Sequence, residues 1–199
     1  MIVTHRPTIE LRPAALADAT ELVRIRLLAH GGFNEALYEG LEKPLESILE
    51  AELADPASIE YFGNYRVAVD GARVAGGLSA FPFDSENPAT DHPELPEERL
   101  YLEAPFESIT APGSYFIHAI TVFAEYTRRG IGSMLMQEAR RQARAAGFDT
   151  MSLYVFAQNS SAIALYHRHG FVEAGRSPLV PHPRLQYSGD MMLMTCALA

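Results

Sequence analysis

The amino-acid sequence predicts one mixed α/β domain whose elements run β-α-α-β-β-β-α-β-α-β-β. Three observations carry this expectation. Tyr115-Phe116-Ile117-His118-Ala119-Ile120-Thr121-Val122 is a run of aromatic and β-branched residues suited to a strand. After a short loop, Ile131, Met134, Leu135, Ala139 and Ala143 share one face of a helix over 131–146, with its arginines mostly opposite. Earlier, Tyr65–Val69 and Arg73–Leu78 flank Asp70-Gly71, a dipeptide that supplies the positive φ of a tight hairpin turn.

The remaining elements follow from local pattern. Ile9-Glu10-Leu11-Arg12 alternates apolar and polar residues before Pro13, which predicts a short first strand. Asp18 is a candidate cap for a helix through Leu22, Val23, Ile25 and Arg26 that Gly31-Gly32 stops. A second helix is expected over 44–53, with Leu45, Ile48, Leu49 and Leu53 on one face and Pro56 beyond it. Residues 82–112 read as an acidic, Pro-rich insertion with a short helix near Glu97–Leu102. Thr150–Val155 is a further strand, Asn159 or Ser160 caps the helix that Gly170 ends, and Phe171–Glu173 and Met191–Ala197 supply the last strands.

At 199 residues the chain fits one domain carrying that insertion. A net charge of −9 disfavours nucleic acid, whose phosphates demand a basic footprint. The single cysteine, Cys196, rules out an internal disulfide framework and suits a reducing compartment. No signal peptide and no run long enough to span a membrane is evident, so the expectation is a cytoplasmic protein. Charge is uneven: acids crowd 84–107 while Arg128, Arg129, Arg140, Arg141 and Arg144 crowd the region after the long strand.

The segment richest in chemistry is Val122–Ser133, where a strand ends, a basic loop with two glycines follows, and a helix begins. The unpaired amides of a helix start carry partial positive charge, so a pyrophosphate settles there. Gly130 and Gly132 permit close backbone approach, and Arg128 and Arg129 add charge. Rival nucleotide loops fail: no Gly-x-x-x-x-Gly-Lys-Ser/Thr occurs, and Leu135 replaces the third glycine of a dinucleotide fingerprint. No pair of histidines or acids has persuasive metal-ligand spacing, so no metal is expected.

A second constellation runs from Asn159 to Phe171 after the next strand. Together the two segments resemble the acetyl-CoA site of the GNAT N-acetyltransferase superfamily, with its loop Gln/Arg-x-x-Gly-x-Gly/Ala and its later Asn-x-x-Ala-x-x-x-Tyr before Gly-Phe. Asn159, Ala162, Tyr166, Gly170 and Phe171 match the second pattern; Gly130 and Gly132 match the first, while Thr127 departs at its leading position and Ala124 stands where proline is common. The likeness is close from 115 to 171 and looser over 9–78.

The resemblance implies a single domain with a mixed, mostly antiparallel central sheet flanked by helices, and acetyl-CoA as co-substrate. By it, Ile120 and Val122 hydrogen-bond the donor and the Val122 amide polarises the thioester. Thr127, Arg128, Arg129, Gly130, Ile131, Gly132 and Ser133 hold the diphosphate, with Asn159, Ala162 and Tyr166 completing the coenzyme site. Tyr166 is the candidate acid for the departing thiolate. His118, whose ordinary pKa lies near 6.5, is the candidate base, with a water relay as the alternative. Glu125 is a lesser candidate. The acceptor is expected to enter past Phe33 and Tyr38 and the insertion, with Glu97 and Glu98 as candidate contacts for a cationic small-molecule amine. Acetyl transfer to a protein or peptide amine, and a non-catalytic acyl-CoA-binding domain, remain alternatives; a homodimer stays open.

Overall fold

The computed structural model describes residues 9–83, 95 and 97–198, the side chains of 97, 98 and 100 excepted. The acidic stretch 84–94 and the side chains of Glu97 and Glu98 therefore lie outside the described residues.

Strands β1 (Ile9–Pro13), β2 (Tyr65–Asp70), β3 (Arg73–Phe83), β4 (Ser114–Val122), β5 (Thr150–Phe156), β6 (Val172–Pro178) and β7 (Asp190–Ala197) form one sheet in the order β1-β2-β3-β4-β5-β7-β6. The β2–β3 hairpin forms as expected, but Asp70 stays in the strand opposite Arg73, and the turn is Gly71-Ala72 with only Gly71 at positive φ. Every neighbouring pair is antiparallel except β4–β5. This is the mixed, mostly antiparallel sheet anticipated.

Helices cover both faces. On one lie α1 (Ala19–His30), α2 (Phe33–Leu37) and α3 (Leu45–Ala54), where Leu22, Ile25, Leu49 and Leu53 pack with Tyr65 and Val67. On the other lie α5 (Ile131–Ala145) and α6 (Ser160–Arg168), where Leu135, Ala139 and Ala143 meet Ala80, Ile117 and Leu153. Fully burying each such leucine contributes about 1.5–3 kcal/mol. A short helix, α4 (Ala104–Glu107), follows a 3-10 turn at Glu97–Leu102, so the described end of the insertion is folded onto the domain through buried Leu102 and Pro105.

Asp18 does not cap α1 through its side chain. It accepts from the Ala15 amide at 2.8 Å and from both Arg12 guanidinium nitrogens at 2.7 Å, which ties β1 to the start of α1. At the other end, Gly31 and Gly32 both take positive φ, and a Cβ on Gly32 would lie 2.0 Å from the Arg184 carbonyl oxygen. That close approach lets the segment 179–189 close over the α1–α2 junction.

Two irregularities shape the centre. Ser79 pairs with Ala119 but Ala80 pairs with Ile117, so His118 is an extra, bulged residue in β4. The bulge reverses the side-chain alternation: Tyr115 and Ile117 pack toward α5, Thr121 Oγ1 donates to the Ile25 carbonyl in α1, and Ile120 and Val122 turn back toward the α5–α6 side. Beside it, β4 and β5 pair only from Tyr115–Ile117 to Met151–Leu153. Past that point the parallel pair parts, and the β5-facing edge of β4 from His118 to Val122 has no strand on it.

Candidate active site

The parted strands open onto a cavity of about 200 Å3 that is continuous with solvent. His118 and Ile120 of β4, Tyr154, Val155 and Phe156 of β5, and Asn159, Ala162 and Tyr166 at α6 all line it. His118 and Tyr166, distant in the chain, thus share one space because β4 and β5 are adjacent but unpaired there.

The loop before α5 enters the helix through two left-handed residues. Arg128 (φ 59°) and Gly130 (φ 82°) are both left-handed, an uncommon state for arginine. This alternating backbone leads into a helix start where the amides of Gly130–Ser133 have no carbonyl a turn earlier to bond. A Cβ on Gly132 would come 3.2 Å from Leu165, so the glycine lets the start of α5 lie against α6, one residue from Tyr166. Ser133 Oγ is 3.2 Å from His169 Nε2, a second link between these helices. Thr127 spends its hydroxyl locally, donating to the Ala124 carbonyl at 2.9 Å, and Arg129 pairs with Asp70 at 3.1 Å. Ile131 is buried, so only its backbone is available to a ligand.

Asn159 caps α6, accepting from the Ala162 amide at 3.2 Å. Tyr166 is 6% exposed and its hydroxyl bonds no described residue; burial raises its pKa further above the ordinary phenol value of 10.0. It is therefore a neutral phenol at neutral pH, able to donate a hydrogen bond.

His118 sits in a network that no sequence spacing disclosed. Its Nε2 lies 2.7 Å from Glu60 Oε1, and Tyr65 Oη donates to Glu60 Oε2 at 2.6 Å. The Arg26 Nε is 3.0 Å from the same Oε1, a charge contact without hydrogen-bond alignment, and its Nη1 bonds Glu52. Tyr38 Oη completes the chain by donating to Glu52 Oε1 at 2.6 Å. Burial would raise the Glu60 carboxyl, but the charges of Arg26 and His118 outweigh it and hold it well below the carboxylate range. Burial pulls Arg26 down, yet Glu60 and Glu52 more than restore it. The pair stays ionised. Since anionic Glu60 can only accept, neutral His118 carries its proton on Nε2, and Nδ1 has the lone pair.

His30 stands edge-on to His118 with ring centroids 4.7 Å apart, and Asn34 Nδ2 donates to its Nδ1 at 2.8 Å. Burial, then the charge of His118, push its pKa down to about 3, so it remains neutral. One ligand atom each from His30, Glu60 and His118 lie within 4.8 Å of one another, a possible metal set that the sequence reading did not foresee. The Arg26 guanidinium beside the shared carboxylate, however, already supplies the positive charge a cation would bring.

Other candidates fall differently. Phe33 lines the cavity, whereas Tyr38 is buried against α3 and is not among the lining residues. Glu125 is exposed and 3.9 Å from Arg24, and His167 Nδ1 lies 3.0 Å from the Phe171 carbonyl oxygen, so neither enters the site. Arg26, His30 and Glu60 were missed. The available signal was Arg26 itself, four residues after Leu22 and so on the apolar stripe of α1, where an unpaired charge would be costly.

With strand gap, loop and tyrosine in view, the comparison with known proteins is decisive. The profile of the acetyltransferase (GNAT) family matches residues 28–171. The chain belongs to this family. It is thus a GNAT acetyltransferase, an acyltransferase whose co-substrate is acetyl-CoA. Over 50 residues it is 38% identical to YwnH of Bacillus subtilis (strain 168), which carries the name of a phosphinothricin acetyltransferase; that match spans 25% of this chain and 31% of the relative. Among solved structures, an N-acetyltransferase from Staphylococcus aureus Mu50 superposes with a TM-score of 0.71 at 21% identity, covering 94% of this chain and 99% of the other. The paia N-acetyltransferase from Thermoplasma acidophilum, solved in complex with coenzyme A, gives 0.55 at 16% identity over 96% and 99%. At such identities these two likenesses establish the fold.

Proposed function

We propose that this GNAT acetyltransferase moves the acetyl group of acetyl-CoA to the primary amine of a small molecule, with His118 taking the amine proton and Tyr166 meeting the thiolate. The observation that carries the reading is the single cavity between β4 and β5 that both side chains line. In this reading the diphosphate rests on the amides of Gly130–Ser133, and the pantetheine arm completes the unpaired edge of β4 past Ile120 and Val122. The Val122 amide then faces the thioester oxygen, and one such aligned donor is worth about 3–4 kcal/mol at a developing oxyanion.

The bulge turns His118 into the cavity, and Glu60 holds its Nε2 proton so that Nδ1 accepts from the amine. As the imidazole gains charge, the fixed carboxylate 2.7 Å away stabilises it. Tyr166 donates a hydrogen bond to the sulfur as the C–S bond breaks. A small-molecule acceptor is supported by the name of the Bacillus relative, and by a site reached through a walled cavity. A cytoplasmic location is supported by the sole cysteine, buried and unpaired.

Release of free thiol from acetyl-CoA, followed over a panel of amines and peptides, tests the function. Amine-dependent release that His118→Ala lowers at least tenfold is expected. Coenzyme binding with no transfer to any amine would refute it.

A further inference from the structure

The acceptor side of the cavity is an arc of rings. Phe33 meets Phe106 edge-on at 5.1 Å, Phe106 meets Tyr154 at 5.1 Å, Tyr154 meets Phe116 at 5.3 Å, and Phe116 lies 5.9 Å from the His118 ring. The arc therefore runs unbroken from the α1–α2 junction to the proposed base. It draws on α2, α4, β5 and β4, four elements distant in sequence, and each of these rings lines the cavity. Tyr154 does not offer its polar tip, because its hydroxyl donates to the Ile109 carbonyl at 2.6 Å. Burial raises that phenol to about 12, so it contributes no charge.

The charges of the lining complete the selection. Among the described lining residues Arg26 is the sole arginine or lysine, and it is bound to both Glu52 and Glu60. His30 is neutral. The lining also includes Glu103, which is 6% exposed. A carboxylate or phosphinate on the acceptor would meet no available cation among the described residues and would pay its desolvation uncompensated. A polycation would find its extra ammonium groups against rings, with a single carboxylate outside the Arg26 network. A flat apolar body with one ammonium group fits: rings stack at the centroid distances seen here, and the ammonium reaches the His118 end of the arc.

We propose that the acceptor is a primary amine carrying an aromatic ring and no acidic group, bound with its ring on the Phe33–Phe106–Tyr154–Phe116 arc and its nitrogen at His118. This rests on the acetyl-transfer reading above and narrows it. It also parts from the name of the Bacillus relative, whose phosphinothricin is an acidic amino acid.

The test uses the full chain with acetyl-CoA and four amines: 2-phenylethylamine, n-hexylamine, spermidine and phosphinothricin, with thiol release giving kcat/KM and calorimetry giving coenzyme affinity. The expected result is kcat/KM for 2-phenylethylamine at least 100-fold above spermidine and phosphinothricin and above hexylamine. Phe106→Ala should raise KM for 2-phenylethylamine tenfold or more while coenzyme Kd stays within twofold; Phe33→Leu serves as the second variant should the first fail to fold. Preference for spermidine or phosphinothricin, or an unchanged KM in the folded variants, overturns the aromatic assignment and leaves acetyl transfer standing. Coenzyme binding without acetylation of any of the four overturns both.

Discussion

Replacing Tyr166 by Phe removes one oxygen from a side chain that is 6% exposed and whose hydroxyl bonds no described residue, so the fold should tolerate it. The effect on chemistry can be bounded. Moving a proton from an ordinary phenol to a thiolate is uphill by about 1.5 pKa units, or about 2 kcal/mol. Burial raises the Tyr166 phenol further, so full transfer is costlier still. Tyr166 accordingly acts by donating a hydrogen bond to the sulfur as charge develops. A hydrogen bond to a charged group is worth about 1.5–3 kcal/mol, which corresponds to about a 10- to 150-fold loss in turnover. Thiol-release kinetics should show kcat falling within that range, and calorimetry should show coenzyme Kd altered less than threefold. A kcat within twofold of the parent enzyme would remove Tyr166 from the mechanism, and a large loss of coenzyme affinity would make it a binding residue.

Glu60→Gln removes the anion facing His118 Nε2, opposite the neutral His30 and beside Arg26. The plateau of kcat/KM against pH should fall at least tenfold; an unchanged plateau would make Glu60 merely structural. Arg26→Ala leaves buried Glu60 and half-buried Glu52 beside a void, and breaking a buried pair in this way costs about 3–5 kcal/mol, readable as a lower urea midpoint at unchanged slope. Stability should also fall with acid. The folded pKa of His30 is depressed to about 3 from 6.5, so below pH 6.5 the unfolded chain binds a proton the native chain refuses. Native Glu60, held well below its ordinary range, adds to the loss once pH drops under about 4.3. Thermal unfolding across pH 7 to 3 should show this decline, and His30→Gln should flatten its upper part; a variant with the parent's slope would refute the assignment.

Elements were legible wherever local chemistry set them. The amphipathic stripe of α5, the Asp70-Gly71 hairpin signal, the Asn159 cap and the β-rich run of β4 each declared themselves through residues within a dozen positions. Differences arose where a side chain was taken by another partner than the one its position suggested. Asp18 looked like a helix cap but was taken by Arg12 and the Ala15 amide, and Tyr38 looked like a substrate contact but was taken by Glu52. Of the acidic insertion, the described part contributes Glu103 and Phe106 to the cavity, so its role there is at least as much apolar as ionic.

The sequence alone determined the local features of the proposed coenzyme half: Gly130, Gly132, Asn159 and Tyr166 rest on backbone freedom, capping and helical spacing, which are local properties. The acceptor half was decided by tertiary structure. A bulge at His118, a strand pair that parts after Ile117, and a buried carboxylate brought 58 residues from Glu60 to His118 exist only once the sheet is assembled. Register and long-range burial are set by the packing of the whole domain, and no short stretch of chain encodes them.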